Sequence, residues 1–249
     1  MEEQEPLPPA PSLVNAITDV YTSPSEVFKA LKNTASAPGL WVVPMIVSVV
    51  MAILMIYIIA TNETLRGQVI DQQRAAIQKL VEENKMTQEN ADLQMDRMEK
   101  SGTGIFIAFG SVTATIAVVV GFFIAALFLW LAGKVVLKST EGYGKHLELF
   151  GISSWIGILG GIITLFMIVG LNSLAASPSA ALAVLGNYES TNHFHKVLSA
   201  LNIFSIWQVA IVGIGLSKLS DKSTGLGMSL AFVLWILWVA VSILLGIAR

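Results

Sequence analysis

The sequence predicts an all-α, polytopic membrane protein: a five-helix transmembrane bundle with an extramembrane helical hairpin between spans 1 and 2. Charged residues are 13% of the 249, against about 25% in a soluble domain. They are also segregated, leaving five long apolar stretches without Asp, Glu, Lys or Arg, and the mean hydropathy is +0.70. A soluble fold distributes polar faces along every element. The apolar stretches, at 40–60, 105–131, 149–171, 197–216 and 226–247, each meet the roughly 20 residues needed to cross a bilayer. They must be helical, because a lone strand in lipid leaves its backbone groups unpaired.

Residues 1–12, MEEQEPLPPAPS, are acidic and proline-rich and are expected to form a disordered tail. A signal peptide needs a positive n-region followed by an apolar run, so the first span is expected to be an uncleaved anchor. Residues 13–36 read as two cytoplasmic amphipathic helices. Leu13, Val14, Ile17, Val20 and Tyr21 recur at helical spacing. Ser23-Pro24-Ser25-Glu26 reads as a second helix start, with Ser23 as N-cap, Pro24 at the first helical position and Glu26 completing a capping box. Val27, Phe28 and Leu31 then give an apolar face with Lys29 and Lys32 beside it. Two placements fit this helix: in the headgroup region with its lysines on anionic lipid, or under the bundle as a lid.

The 62–101 segment is strongly polar, with Leu65, Val69, Ile70, Ile77, Leu80 and Val81 forming a broken apolar stripe. A turn at Asn84-Lys85-Met86 and a second helix starting at Thr87 make a hairpin, which returns the chain to the same membrane face. It serves either as a docking surface for a partner or as a soluble cap. Residues 172–196 read as a loop; 174–185 is apolar enough for a short interfacial or re-entrant helix, whereas Pro178 and the serines favour irregular structure. Lys29, Lys32, Lys134, Lys138, Lys145, Lys218 and Lys222 all share one side if the N-terminus is cytoplasmic and the C-terminus opposite.

Trp41 and Trp130 lie near span ends, where amphipathic rings favour the interface, and with Lys29 and Lys32 they are the membrane-interface candidates. Gly157 and Gly161 stand in GxxxG register, which predicts a close helix–helix seam. Asn202 and Gln208 are amides within a span and need partners there, so all four are helix-packing candidates. Lys134 and Glu148 are expected to pair across the 132–148 connection, and His146 to act as an interfacial cation.

Catalytic, cofactor and metal residues are not expected. The chain contains no cysteine, which removes thiolate chemistry. His193 and His195 form only a bare HxH beside Glu189, and alternate residues share a side only in an extended segment. No HExxH, P-loop or Rossmann pattern occurs. A net charge of −2 offers no broad basic surface for nucleic acid. The ionisable groups that mark an ion path are missing from the spans.

Tyr21-Thr22-Ser23-Pro24-Ser25-Glu26-Val27-Phe28, then Pro38 and Trp41-Val42-Val43-Pro44, resemble the start of the Yip (Ypt-interacting protein) domain family in its prokaryotic branch. Glu141-Gly142-Tyr143-Gly144 running into 147–159 resembles that family's connection between its second and third spans. The resemblance covers about residues 20–247. It implies five spans with a cytoplasmic N-terminus, a prokaryotic cytoplasmic-membrane location and no known catalytic activity. Eukaryotic relatives are associated with Rab-type GTPases and with vesicle traffic or membrane shaping. This chain departs from them in its short N-terminal region, its long hairpin and the missing Asp-Leu-Tyr-Gly-Pro motif, so no partner-binding residue is carried over.

The expected function is non-enzymatic membrane organisation, scaffolding or protein interaction. The expected partners are the lipid bilayer and a protein partner or second copy, met through the 62–101 hairpin or the third span. A small channel or transporter subunit is the alternative. A lipid-modifying enzyme would have to use Lys145, His146 and Glu148.

Overall fold

The computed structural model describes residues 7–32 and 34–246. Positions 1–6 of the expected tail, Asn33 within the 13–36 region, Ile247 at the end of the fifth span and the C-terminal Arg249 lie outside the described residues. The helices are α1 Leu13–Thr22, α2 Pro24–Leu31, α3 Gly39–Thr61, α4 Glu63–Glu82, α5 Gln88–Lys100, α6 Thr103–Val135, α7 Tyr143–Leu171, α8 His193–Ala200, α9 Ile203–Leu219 and α10 Thr224–Leu244, with a 3-10 helix at Ala180–Asn187. The chain divides into two compact units. The first comprises the residues up to Val49, Ala117–Gly160 and Ile203–Val241, and the second Val50–Ile116, Gly161–Asn202 and the residues from Ser242.

Four helices are long and apolar enough to cross a membrane: α3, α6, α7 and α10, of 23, 33, 29 and 21 residues. The fourth stretch read from the sequence, 197–216, is not one helix. It is divided between α8 and the 17-residue α9. At the break, the Leu201 carbonyl accepts from Ala180 N–H at 3.2 Å, and Asn202 pairs antiparallel with Ser179. An amide residue competes well with helical backbone bonds, and here the neighbouring loop supplies the alternative partners.

In the first unit, α7 is the central helix: 39% of its most apolar stretch is buried, against 11–17% in the other three long helices. Leu149, Ile152 and Ile156 of α7 form a core with Leu216 and Leu219 of α9 and with Ala16, Val20, Val27, Phe28 and Leu31 of α1 and α2. Val27, Phe28 and Leu31 are at most 1% exposed, so the apolar face of α2 is covered by protein and is not offered to headgroups. Ser12 caps α1 by accepting from Asn15 N–H at 3.2 Å. Ser23 stands at the start of α2 without a side-chain cap bond. The expected capping box does not form: Ser23 N–H donates to Asp19 O at the end of α1, and Glu26 pairs with Lys29 instead.

In the second unit, Ile59, Leu65, Ile168 and Ala176 form the core. Asn62 caps α4 through Leu65 N–H at 3.1 Å and donates its amide to Asn172 Oδ1 at 3.1 Å. Gln68 donates to Asn172 O at 2.7 Å and accepts from Leu174 N–H at 2.9 Å. Between α4 and α5 the chain turns at Asn84, whose φ is +55°. Thr87 caps α5 by accepting from Asn90 N–H. Lys85 binds the Glu83 carboxylate and holds its pKa below the usual carboxylate range. Arg66 joins the start of α4 to the chain after α5 by donating to Thr103 Oγ1 at 2.9 Å and Ser101 O at 3.2 Å.

A Cβ at Gly213 of α9 would lie 2.6 Å from Met228 Cα of α10, so alanine there must push two backbones apart. Gly213→Ala should cost about 1–3 kcal/mol, read as a lower thermal midpoint in detergent. Gly161→Ala, with nothing within 4 Å of the added carbon, should be neutral or stabilise by up to ~1 kcal/mol through helix propensity.

Candidate functional site around Lys145 and Glu148

Helix α7 begins at Tyr143, so Lys145, His146 and Glu148 all lie in its first two turns. Lys145 and Glu148 are three apart and therefore neighbours on one face. Their ammonium and carboxylate are 2.8 Å apart, with side chains 11% and 1% exposed. Glu148 Oε1 also accepts from Ala37 N–H at 2.7 Å and Ser36 Oγ at 3.2 Å. Lys145 Nζ donates further to Thr34 Oγ1 at 3.0 Å and Ala35 O at 3.1 Å. The pair thus grips residues 34–37, the strap from α2 to α3. All three ammonium protons have acceptors, and the carboxylate serves as a structural acceptor.

His146 is fully buried but does not join them. Residues two apart on a helix point roughly 200° apart, and its ring lies against Gly133 of α6. A Cβ on Gly133 would approach Nε2 to 3.0 Å and Leu216 Cδ2 to 3.8 Å. Its Nδ1 is 3.0 Å from Gly142 O, and a carbonyl can only accept, so Nδ1 carries the proton. The expected interfacial cation is therefore a buried packing residue. The pairing expected between Lys134 and Glu148 is also replaced. Glu148 holds Lys145, while Lys134 sits 5.2 Å above the centre of the Trp130 ring.

Gly157 and Gln208 do meet: a Cβ on Gly157 would be 2.6 Å from Gln208 Oε1. Gly160 faces Phe204 equally closely, at 2.5 Å from its Cβ, whereas Gly161 has nothing within 4 Å. The close-packed register is thus 157/160, and Asn202 lies apart in its bridge to Ser179. Lys29 pairs with Glu26 at 3.0 Å on the surface, and Lys32 forms an ion pair with Asp221, tying α2 to the α9–α10 turn. Trp41 packs edge-on against Phe123 at 5.6 Å and lies 6.5 Å from Phe122. Trp130 is half-buried and stacks edge-on against Tyr143 at 6.1 Å.

Four contacts have weaker signals in the sequence. Gly151 packs directly on Leu40 O and Trp41, and Gly213 packs against Gly227 and Met228; isolated small residues in bulky spans were the available clue. Tyr21 OH donates to Trp155 O at 2.7 Å, its ring lies 5.8 Å from that of Trp207, and burial raises its pKa. His195 lies on α8, where Nδ1 accepts from Glu189 N–H at 3.0 Å and the ring stacks on Tyr188. His193 is two residues away on the same helix, so the two rings do not share a side.

The family model of the Yip1 domain matches residues 18–247. Among curated proteins, the membrane protein YknW of Bacillus subtilis (strain 168) is 28% identical over 231 residues, covering 92% of this chain and 88% of that protein. No solved structure matches.

Glu148→Ala strands the Lys145 ammonium and should cost about 3–5 kcal/mol. Replacing both residues, by Lys145→Met with Glu148→Leu, should cost less than that single change. Thermal midpoints of the three variants measure this coupling. Tyr21→Phe should cost about 1 kcal/mol at neutral pH. The unfolded phenol ionises near pH 10 while the folded pKa is higher. The wild-type contribution is therefore complete below pH ~10 and lost as pH rises through the folded value. Tyr21→Phe should flatten that alkaline fall in a pH series of melting curves.

Proposed function

We propose, because the chain belongs to the Yip1 domain family, a non-enzymatic role in which the bundle organises the membrane and presents polar surfaces to protein partners. The observation carrying this reading is the way four hydroxyls within the long helices are satisfied. Ser48, Thr115, Ser153 and Ser154 each donate to the carbonyl four residues earlier on their own helix, at 2.7–2.9 Å. A channel needs polar groups facing one continuous path; these hydroxyls are spent on their own backbones. A lipid-modifying centre would need Lys145, His146 and Glu148 to converge, and His146 faces different neighbours from the other two.

In this reading the chain crosses the membrane five times, with α9 as the fourth crossing. Its 17 residues span about 26 Å, which a locally thinned bilayer accommodates. The N-terminus is cytoplasmic. Helices α4 and α5 stand as a polar hairpin on the opposite face, where they dock a protein partner or a second copy. Outward-facing apolar residues such as Ile46, Val50, Phe109, Ile116 and Phe166, all more than 45% exposed, meet lipid.

The absence of native cysteine makes single-cysteine topology mapping clean. Asp92→Cys and Ser190→Cys should react with a membrane-impermeant maleimide from outside intact cells. Glu26→Cys and Ser223→Cys should react only after permeabilisation. Ser190 and Ser223 labelling from the same side would remove α9 as a crossing. Proteoliposomes should show no solute flux above empty vesicles; reproducible substrate-dependent flux would overturn the scaffold reading in favour of transport. Crosslinking from the Asp92→Cys position in native membranes should capture a protein partner or a second copy.

A further inference from the structure

Four described non-glycine residues have positive φ: Asn84 at +55°, Lys138 at +57°, Asn172 at +48° and Asp221 at +51°. Asn and Asp tolerate this left-handed region because their short polar side chains bond locally. Lys138 has no such adaptation, and it lies three residues beyond α6, in the turn closed by Ser139 N–H on Gly133 O, at a kind of position usually given to glycine. The strain brings no compensating ion pair within the fold: among the described residues, exposed Lys138 has none. One turn earlier, exposed Lys134 lies over the Trp130 ring. Trp130 and Lys134 are one turn apart on the same side of α6, and Lys138 follows three residues beyond the end of that helix.

That side continues an apolar surface. Leu127, Leu131 and Val135 are 40%, 42% and 64% exposed, so a stripe suited to acyl chains runs into an indole and two ammonium groups. Nearby charge has the same sign. Ser139 Oγ donates to Leu219 O at 3.5 Å, setting this connection against the α9–α10 turn with Lys218 and Lys222. The carboxylate of that turn, Asp221, is already taken by Lys32. Glu141, the one carboxylate between α6 and α7, forms no ion pair with Lys134 or Lys138.

We propose that Trp130, Lys134 and Lys138 form a binding site for the phosphate of an anionic phospholipid headgroup. The phosphodiester lies between the two ammonium groups, its acyl chains run along Leu127, Leu131 and Val135, and the indole sits at the polar–apolar boundary. Lys138 is held in its strained conformation because its charge is needed there.

Native mass spectrometry of the full chain, titrated with phosphatidylglycerol and with phosphatidylcholine, tests this. Wild type should retain phosphatidylglycerol preferentially. Each lysine contributes about fivefold, so Lys134→Gln with Lys138→Gln should weaken phosphatidylglycerol binding roughly 25-fold. Lys138→Gly separates function from folding: glycine relieves the left-handed strain, so the thermal midpoint should rise while phosphatidylglycerol retention falls about fivefold. Lys100→Gln, whose lysine pairs with Asp96 elsewhere, should retain the lipid as wild type does. Undiminished retention in the double variant, or an equal loss in Lys100→Gln, overturns the site. Displacement of the lipid by millimolar inorganic phosphate would mark a free-anion site and overturn the lipid assignment. None of these readouts depends on what docks at the α4–α5 pair.

Discussion

A carboxylate and an ammonium buried in an apolar bundle persist only if each supplies what water would have supplied to the other. Glu148 and Lys145 meet that condition on one face of α7, and their remaining bonding capacity is used on residues 34–37. The arrangement of the first unit follows from that grip. It fixes where α2 ends and α3 begins, and so holds Val27, Phe28 and Leu31 against Leu149 and Leu216. A buried ion pair adds little net stability over an apolar replacement, whereas breaking it is expensive. Its contribution here is to specify one position for the strap.

Between the long helices a different constraint operates. Lipid tails are as apolar as leucine, so helices gain by approaching closely enough for dense van der Waals contact. Glycine permits that approach, against the α3 start at Gly151 and between α9 and α10 at Gly213 and Gly227. Gly157 instead accommodates the Gln208 amide, so the same residue that allows close packing also shelters a polar group. Ser48, Thr115, Ser153 and Ser154 donate to their own helix backbones, whereas Ser111 and Ser242 are buried without a hydrogen-bond partner, and the outer surfaces are apolar and suited to lipid.

Family membership and four long apolar helices were legible in the sequence, whereas the stretch 197–216 is divided between α8 and α9. The motif around Ser23-Pro24-Ser25-Glu26 located the start of α2 correctly, yet the capping box drawn from it does not form, because Ser23 N–H already closes α1. Asn202 was recognised as an unusual residue for a span, and the helix breaks beside it. Of the GxxxG pair, a Cβ on Gly157 would meet Gln208 while one on Gly161 would meet nothing within 4 Å, and Gly160 lies close to Phe204. Local patterns identify which residues are unusual, but not which of several possible partners each one finds.

By itself the sequence determined that the chain is helical and membrane-embedded, because long uncharged stretches have no other stable state in lipid. It also determined that charge would be confined to connections and helix ends. Only the tertiary structure decided that α2 is a lid with a covered apolar face, that His146 and Glu148 point apart, and that Lys145, not Lys134, neutralises Glu148. These outcomes depend on the rotation of each helix about its own axis and on chain segments more than 100 residues apart, as in the approach of Ser36 and Ala37 to Glu148. Composition and spacing encode neither; packing fixes both.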